Sequence, residues 1–373
     1  MGPTLDLIRI EQEFRMINQI EPNYGLKEIK EVNKYLKSGS WITEHKLTKE
    51  LEDSISSFVG RKFAVAVPNG TVAIYLSLLS HGVKKGTKVA VPNMTMIATV
   101  NAVLWAGGEP VLVDVDENMC MSIDELKNIK NLHSVIYVPL NGRTNQGLEI
   151  EKWCKDNQIN LIEDSAHAMG SRYSNGKMCG SLGSSSIFSF TPHKIITMGQ
   201  GGMVLTDDKK IYTYLKDLKT FNRSKDRSDR HKGFGLNFKI TDLQAAFGLS
   251  QFKRINNFIE NKLEIYHQYN QKIESDYLKV NKFRNHEVPW FIDVSLLNKK
   301  NTKPLFDYLL ENGIETRYAY PPLNTQRHMR EVKATVLKNS KKFENKVLWL
   351  PSSTNLSKVD INFIADKLNN FRI

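Results

Sequence analysis

Short apolar runs rich in β-branched residues alternate with helical stretches through the first two-thirds of this 373-residue chain. The helical stretches include TVAIYLSLLS and MIATVNAVLWAG. Strands that alternate with helices form βαβ units around a mostly parallel sheet, and nearly continuous apolar strands are typical of a sheet covered on both faces. We therefore predict an α/β fold with a mostly parallel seven-stranded sheet flanked by helices. The predicted strands are FAVAV (63–67), KVAV (88–91), PVLVDV (110–115), SVIYV (134–138), NLIED (160–164), SSIFSF (185–190) and GGMVLTD (201–207).

The character of the sequence changes near Thr241. TDLQAAFGLSQF begins with Thr241 and Gln244 at the spacing of a capping box, which predicts a long helix that continues to about Glu274. The elements predicted after it are a strand-like segment, VPWFIDV, and helices over 304–312 and 360–370. A chain of this length exceeds the usual size of one hydrophobic core. We therefore predict a large domain over 1–250, with a helical N-terminal segment, and a smaller α+β domain over 251–373.

The net charge of +12 is compatible with a nucleic-acid binder, and residues 223–232 (RSKDRSDRHK) are locally basic. That stretch contains two aspartates and no aromatic residue, and no recognised nucleic-acid-binding module surrounds it. A lysine-rich surface around an anionic small-molecule substrate accounts for the charge equally well. We therefore predict no nucleic-acid partner.

Targeting and metal-binding signals are missing from the sequence. Because it contains no run of about 18 apolar residues, it predicts no transmembrane helix and no membrane partner. The first ten residues, MGPTLDLIRI, lack the charged-then-apolar layout of a signal peptide, which favours a cytoplasmic protein. Cys120, Cys154 and Cys179 are widely spaced and odd in number. They indicate neither a disulfide framework nor a CxxC metal pair, and we expect no metal site.

Two polar segments follow predicted strands, at the edge where ligands of open α/β sheets bind. In PNGT (68–71), Gly70 allows close approach of a ligand to the backbone, and free amides at the start of the next helix favour a phosphate. Such turns are also common structural connections. In NLIEDSAHAMG, Asp164 ends a strand and His167 follows it. A carboxylate there could bind a metal, act as a base, pair with a protonated ring nitrogen or cap a helix.

A third segment, SSIFSFTPHKIITMGQGG, places Lys194 just past a strand end in a turn rich in Ser, Thr and Gly. An isolated lysine is more often a surface charge, but burial or positive neighbours would lower its pKa and make it a nucleophile toward aldehydes. The cofactor pyridoxal 5'-phosphate, PLP, requires a phosphate site, a carboxylate and a lysine. The turn at Gly70, the carboxylate of Asp164 and the lysine about 30 residues further on meet these requirements together. We therefore predict a PLP enzyme that holds its cofactor on Lys194 as a Schiff base.

These segments resemble the DegT/DnrJ/EryC1/StrS family of sugar-nucleotide aminotransferases, which have the type I PLP-dependent aminotransferase fold. Within the family, the chain is most similar to the C4 aminotransferases of 4-keto-6-deoxy sugars, of the perosamine-synthase type. The match holds in order and in spacing. It runs through SGSWITE (38–44), PNGTVAI, VPNMTMIATVNAV, EDSAHAMGS, FSFTPHKIITMGQGG, GFGLNFKITDLQAAFGLSQ and GIETRYAYPPL (313–323).

The resemblance implies a role for each matching cofactor residue. Lys194 would form the internal aldimine and move protons between the substrate carbon and the cofactor. Asp164 would pair with the pyridine nitrogen and make the ring an electron sink, and His167 would lie beside the ring and its phenolic oxygen. The residues implied to bind the phosphate are Gly70, Thr71 and Ser189.

The resemblance also implies a homodimer with shared active sites. Asn237, in GLNFK, matches an asparagine that reaches the phosphate of the neighbouring subunit. Lys239 replaces a more usual arginine and would face the diphosphate of the sugar nucleotide. Arg317 and Tyr320 are further substrate candidates, although Arg317 fits a surface charge equally well.

Three positions depart from the family pattern. Met96 stands where an aromatic ring usually stacks on PLP, and a thioether also contacts an aromatic face favourably. Gln200 gives GQGG in place of GEGG, which removes a charge near the turn. Asn324 replaces a histidine, which puts a substrate role for that segment in doubt.

The residue at the Schiff-base position separates two reactions. A sister branch of the family carries histidine there and catalyses C3 dehydration, and His193 directly precedes Lys194. Counting back from GQGG places Lys194 at that position, which favours transamination.

The implied reaction moves an amino group from L-glutamate, through the PMP form of the cofactor, to C4 of GDP-4-keto-6-deoxymannose, and releases 2-oxoglutarate. The alternatives are amination of a UDP- or dTDP-linked 4-keto or 3-keto sugar, a sugar dehydratase, and a non-catalytic basic binding protein.

Overall fold

The computed structural model describes residues 16–224, 226 and 228–372, so the expectation drawn from MGPTLDLIRI lies outside the described residues. Two sheets are formed within these ranges. Their strands are β1 (Phe63–Val67), β2 (Lys88–Pro92), β3 (Glu109–Val113), β4 (Ser134–Tyr137), β5 (Asn160–Asp164), β6 (Ser185–Ser189), β7 (Gly202–Thr206), β8 (Leu278–Val280), β9 (Asp293–Leu296), β10 (Arg317–Tyr318), β11 (Lys333–Ala334) and β12 (Val347–Trp349).

Helices cover both sheets. The α-helices of the described ranges are α1 (Leu26–Lys37), α2 (Lys46–Val59), α3 (Gly70–Ser80), α4 (Ile97–Trp105), α5 (Ile123–Lys127), α6 (Gly147–Asp156), α7 (Lys209–Leu218), α8 (Asp242–Phe252), α9 (Ile255–Lys272), α10 (Thr302–Glu311), α11 (Asn339–Phe343) and α12 (Lys358–Asn370). Ser122 caps α5 by accepting a hydrogen bond from the Glu125 amide, and Thr241 and Gln244 form the predicted capping box of α8.

The large sheet has the strand order β1-β7-β6-β5-β4-β2-β3-β11. All seven predicted strands are present in it, which confirms the α/β prediction. Only β7 of these runs antiparallel to its neighbours, β1 and β6. The short edge strand β11, which pairs with β3, was not predicted, because two residues are too few to leave an alternating pattern.

Both faces of the large sheet are buried, as the apolar strands indicate. In β1, Val65 and Val67 pack in one core that also contains Ile74 of α3. The intervening residues point the other way, so Ala66 packs in a second core with Leu51 of α2. Strands β1, β5 and β6 run in the same direction, and their carboxyl ends therefore meet at one edge of the sheet.

The long helix predicted from Thr241 to about Glu274 is wrong in one respect, because α8 and α9 are separate helices. Arg254 leaves the helical conformation, with φ −108° and ψ 10°. Its guanidinium donates a 2.8 Å hydrogen bond to Glu28 of α1. The break lets α8 pack against α1 and α2, while α9 packs against α12.

The small sheet has the order β10-β12-β9-β8 and is antiparallel throughout. The strand predicted over VPWFIDV begins only at Asp293. The residues before it bond to a loop instead, since the Phe291 amide donates to Oδ1 of Asn141 at 2.7 Å. The division into domains over 1–250 and 251–373 stays a prediction, and β11 from the second segment belongs to the large sheet.

The helices and cysteines bear on two expectations drawn from composition. Among the described residues, no helix combines the length and the apolar character needed to cross a bilayer. Cys120, Cys154 and Cys179 are buried free thiols. Burial raises the pKa of the Cys154 thiol to about 12.

Candidate active site

A cavity of about 540 Å³ lies at the edge of the large sheet where β1, β5 and β6 end. Its walls combine residues from these strand ends with the first turns of α3 and α4. It therefore brings together seven of the eight residues predicted to bind the cofactor, namely Gly70, Thr71, Met96, Asp164, His167, Ser189 and Lys194.

The turn between β1 and α3 forms a cradle for a small anion. Asn69 caps α3 by accepting a 3.0 Å hydrogen bond from the Val72 amide. The capping bond thus uses the Val72 amide and not the amides of Gly70 and Thr71. Those two amides lie in the first turn of α3, where backbone N–H groups have no partner within the helix. A Cβ atom on Gly70 would lie 3.0 Å from the Cβ of Ser189, so a side chain there would crowd the cradle.

Gly202 supports this turn from the neighbouring strand β7, a role the sequence did not reveal. It pairs with Val67 at the end of β1. A Cβ atom on Gly202 would lie 2.3 Å from the Asn69 carbonyl oxygen and 2.9 Å from the Gly70 nitrogen. Glycine is therefore required for the strand to approach the turn this closely. The GQGG run was the available signal.

Asp164 is buried at the end of β5. Its Oδ2 accepts a 2.9 Å hydrogen bond from the Thr99 hydroxyl, and its Oδ1 accepts one of 3.3 Å from the Ala166 amide. Burial raises the pKa of this carboxyl, whereas these two bonds and the amine of Lys194 lower it. Thr99 was not predicted from the sequence. It lies in the first turn of α4, three residues after Met96, and lines the same cavity as Met96.

Lys194 is buried with its amine close to an aromatic ring. Its Nζ lies 4.0 Å from the ring centroid of Trp290. Burial lowers the pKa of this amine to about 7, Arg317 adds to the shift, and Asp164 opposes it. An amine with a pKa near neutrality is a competent nucleophile and proton carrier.

His167 is held between two aromatic side chains. Its ring stacks on Trp290 with centroids 4.0 Å apart and planes 9° apart, and its Nε2 lies 3.5 Å from the Tyr320 hydroxyl. Burial, and secondarily the amine of Lys194, holds its pKa well below the usual range, so the imidazole is neutral. Its Nδ1 is buried and has no hydrogen-bond partner among the described residues.

A second cavity, of about 560 Å³, adjoins the first and shares Met96, Thr191 and Lys194 with it. Arg317 and Tyr320 line this second cavity, which fits their interpretation as substrate candidates. Arg317 is itself exposed, so its interpretation as a surface charge stays open.

Asn237 and Lys239 are exposed and line neither of these two cavities. The amine of Lys239 lies 5.9 Å from the ring centroid of Phe221. This placement is compatible with the prediction that Asn237 reaches the site of another subunit, which stays a prediction.

The three departures from the family pattern have different surroundings. Met96 lines both cavities and is 41% exposed, and its sulfur accepts a 3.0 Å hydrogen bond from the Ala98 amide. Gln200 also lines the first cavity. Asn324 instead forms two hydrogen bonds with Asn93, at 2.8 and 3.1 Å, which gives it a structural role.

The donor set of the first cavity fits an aromatic aldehyde that carries a phosphate. The cradle at Gly70 and Ser189 suits the phosphate, the buried carboxylate of Asp164 suits a cationic ring nitrogen, and the amine of Lys194 suits the aldehyde. The unpartnered Nδ1 of His167 is a further buried polar atom that a ligand could satisfy.

Comparisons with known proteins agree with this fit. A model of the DegT/DnrJ/EryC1/StrS aminotransferase family matches residues 22–369. GDP-perosamine synthase of Escherichia coli O157:H7 is 32% identical over 357 residues, which cover 94% of this chain and 97% of that enzyme. The UDP-4-amino-4,6-dideoxy-N-acetyl-beta-L-altrosamine transaminase of Campylobacter jejuni subsp. jejuni serotype O:23/36 (strain 81-176) is 28% identical over 371 residues, which cover 95% of this chain and 96% of that enzyme.

A solved structure shares the fold over nearly the whole chain. The aminotransferase TlmJ from Streptoalloteichus hindustanus matches with a TM-score of 0.89 at 24% identity, and the match covers 95% of this chain and 98% of TlmJ.

Proposed function

Because the chain belongs to the DegT/DnrJ/EryC1/StrS aminotransferase family, we propose that it transfers the amino group of L-glutamate to C4 of GDP-4-keto-6-deoxymannose. The enzyme is a PLP-dependent sugar-nucleotide aminotransferase. When bound, PLP supplies an aldehyde that takes up an amino group and a ring that withdraws electrons from the reacting carbon. The residues of the first cavity bind and orient this group.

Lys194 is proposed as both the covalent attachment point and the proton carrier. Its pKa of about 7 lets the amine give up a proton and accept one at neutral pH. From its buried position it abstracts a proton from the α-carbon of glutamate and returns one to C4 of the sugar. The 2.9 Å hydrogen bond from Thr99 holds Asp164 for pairing with the ring nitrogen.

The amides of Gly70 and Thr71, with the Ser189 hydroxyl, are proposed to bind the cofactor phosphate. The neutral ring of His167 would lie beside the ring of the bound cofactor, where its unpartnered Nδ1 would be available to a polar group of that ring. Met96 is proposed to contact the opposite side, where its sulfur gives a polarizable surface.

The substrate and the second subunit complete the proposal. Arg317 and Tyr320 of the adjoining cavity are proposed to face the sugar nucleotide. Asn237 and Lys239, which are exposed in their own chain, are proposed to reach the phosphate groups of a second subunit in a homodimer. The shared site is supported by the position of these two residues, because neither of them lines the two cavities beside Lys194 of its own chain.

The observation that carries the choice of acceptor is the likeness to GDP-perosamine synthase, which covers nearly all of both chains. A second candidate is a UDP-linked acceptor, which the Campylobacter jejuni relative favours. Dehydration is disfavoured because His193 lines only the adjoining cavity, whereas Lys194 lines both.

The test compares different sugar-nucleotide acceptors with the same amino donor. The purified enzyme is incubated with L-glutamate and, separately, with GDP-, UDP- and dTDP-linked 4-keto-6-deoxy sugars, and products are identified by mass spectrometry. We expect 2-oxoglutarate and the amino sugar to form fastest with the GDP-linked ketone, and Lys194→Ala to form neither. Faster amination of the UDP-linked ketone would transfer the assignment to the second candidate. Dehydration without amination would contradict both.

A further inference from the structure

Trp290 lies in the segment that was predicted as a strand and that bonds instead to a loop. Its amide donates a 3.2 Å hydrogen bond to the Asn141 carbonyl. Its own carbonyl accepts a 2.6 Å hydrogen bond from the amine of Lys262, which also donates to the Ser352 carbonyl. Both Trp290 and Lys262 are buried. The backbone of Trp290 is therefore fixed from two sides.

The side chain of Trp290 contacts three residues around the cofactor site. The indole N–H donates a 2.6 Å hydrogen bond to the carbonyl of His193, the residue directly before Lys194. The aromatic ring of Trp290 stacks on the ring of His167 with planes 9° apart, and the Lys194 amine lies 4.0 Å from the Trp290 ring centroid. The rigid side chain of Trp290 thus contacts both the amine of Lys194 and the ring of His167.

We propose that Trp290 is a positioning residue, which fixes the amine of Lys194 and the ring of His167 relative to each other. The inference rests on the proposed function, since it takes Lys194 as the proton carrier. A lysine amine moves on a flexible four-carbon chain, and the face of an indole attracts it when it carries a charge. The bond to the His193 carbonyl also holds the backbone from which that chain starts.

The aromatic face of Trp290 acts on the protonation of the Lys194 amine in the direction opposite to burial. Burial disfavours the charged amine, whereas the ring face favours it. Leucine keeps an apolar side chain at this position but removes the ring. Trp290→Leu is therefore expected to lower the pKa of Lys194, and Trp290→Phe, which keeps a ring face, is expected to change it little.

The first experiment measures this pKa without measuring turnover. Enzyme in the PMP form, in which the Lys194 amine is not bonded to the cofactor, is labelled with acetic anhydride across neutral pH, and modification of the Lys194 peptide is followed by mass spectrometry. We expect the labelling midpoint to fall by about 0.5 to 1 pH unit in Trp290→Leu and by under about 0.3 in Trp290→Phe. Trp153→Leu, on α6 away from the site, serves as the control for loss of a tryptophan. A midpoint in Trp290→Leu that is unchanged or higher overturns the proposal.

The second experiment uses Trp290→Phe alone, so that the proposal remains testable if Trp290→Leu does not fold. Phenylalanine lacks the indole donor, which leaves the His193 carbonyl without that bond. Because one hydrogen bond is worth up to about a tenfold effect, we expect the maximal rate of cofactor conversion by L-glutamate to fall about tenfold, while half-saturation by glutamate changes by less than about twofold. A maximal rate within about twofold of wild type would also overturn the proposal.

The controls separate this inference from the proposed function. If Lys194 is the cofactor lysine, the PLP form of the wild-type enzyme protects it from acetylation and the PMP form exposes it. Equal labelling of Lys194 in the two forms contradicts the proposed function itself. Protection in wild type with no effect in either Trp290 variant contradicts only the role of Trp290.

Discussion

The hydroxyl of Thr99 donates a 2.9 Å hydrogen bond to Oδ2 of Asp164, and both residues are buried. Thr99 comes from the first turn of α4 and Asp164 from the end of β5, so the contact joins two walls of the cavity that is proposed to bind the cofactor. It also opposes the effect of burial on the pKa of Asp164. The protonation state of the carboxyl therefore depends on a side chain that does no chemistry itself.

Thr99→Val is expected to move the acid limb of the pH–rate profile to higher pH. Burial already raises the pKa of Asp164, and loss of the donor raises it further, so the carboxylate is lost at a higher pH as the solution is acidified. We expect a shift of about 1 pH unit in kcat against pH, since a bond to a charged group is worth about 1.5–3 kcal/mol before partial compensation. Thr99→Ser, which keeps the hydroxyl, is the matched control. Identical acid limbs in Thr99→Val and wild type would exclude this role.

Gly202→Ala is expected to weaken cofactor binding. The added Cβ would lie 2.3 Å from the Asn69 carbonyl oxygen, so the turn before α3 must shift and carry with it the amides that are proposed to bind the phosphate. We expect the dissociation constant for PLP, measured by absorbance, to rise at least about tenfold. Gly25→Ala is the control, because a Cβ there meets no atom within 4 Å. The prediction fails if the two variants bind PLP equally well.

Asp293→Asn is expected to destabilise the fold strongly. The Arg143 guanidinium makes two bonds to this carboxylate, at 2.7 and 3.1 Å, and both side chains are buried. Asparagine keeps one acceptor oxygen but leaves the buried charge of Arg143 uncompensated, and breaking such a buried ion pair costs about 3–5 kcal/mol in the free energy of unfolding. Urea titration measures the change. Asp53→Asn, which breaks the exposed pair with Lys49, should cost under about 0.5 kcal/mol, and equal losses would contradict the argument.

The parts of the fold that the sequence predicted are those encoded by local pattern. Seven apolar runs became the strands of the large sheet, because each is long enough and buried on both faces. The break between α8 and α9 was missed because it depends on Arg254 meeting Glu28, more than 200 residues away, a distant contact that leaves no local signal. The late start of β9 has a similar cause, since Phe291 bonds to the distant Asn141.

The candidate site divides in the same way. Gly70, Asp164 and Lys194 were singled out because each lies at or shortly after the end of a strand, at the edge where ligands of such sheets bind. Thr99 and Trp290 were missed because their importance lies in what they touch, not in a motif. Gly202 was visible only as part of GQGG, and its role depends on the approach of β7 to the turn after β1.

Lys262→Met is expected to flatten the rise of stability with pH above neutrality. Burial lowers the pKa of the Lys262 amine to about 7, whereas in the unfolded chain it returns to its ordinary value near 10.4. Between these values the unfolded state binds more protons than the folded state, so the free energy of unfolding rises with pH. In the cofactor-free protein, where its amine is not bonded to PLP, Lys194 contributes in the same direction, with its own pKa of about 7. The slope of the cofactor-free wild-type protein should therefore contain a contribution of about 1.4 kcal/mol per pH unit from each lysine.

The measurement is the free energy of unfolding in urea at several values between about pH 7.5 and about pH 9, below the range in which ordinary lysines titrate. In Lys262→Met the slope should fall by about 1.4 kcal/mol per pH unit. The absolute stability is a poorer test, because the variant also leaves the carbonyls of Trp290 and Ser352 without their donor. Lys152→Met, at an exposed lysine of α6, should leave the slope unchanged. If Lys262→Met keeps the wild-type slope, the amine is charged in the folded protein, and its bonds to the two carbonyls are those of a buried cation.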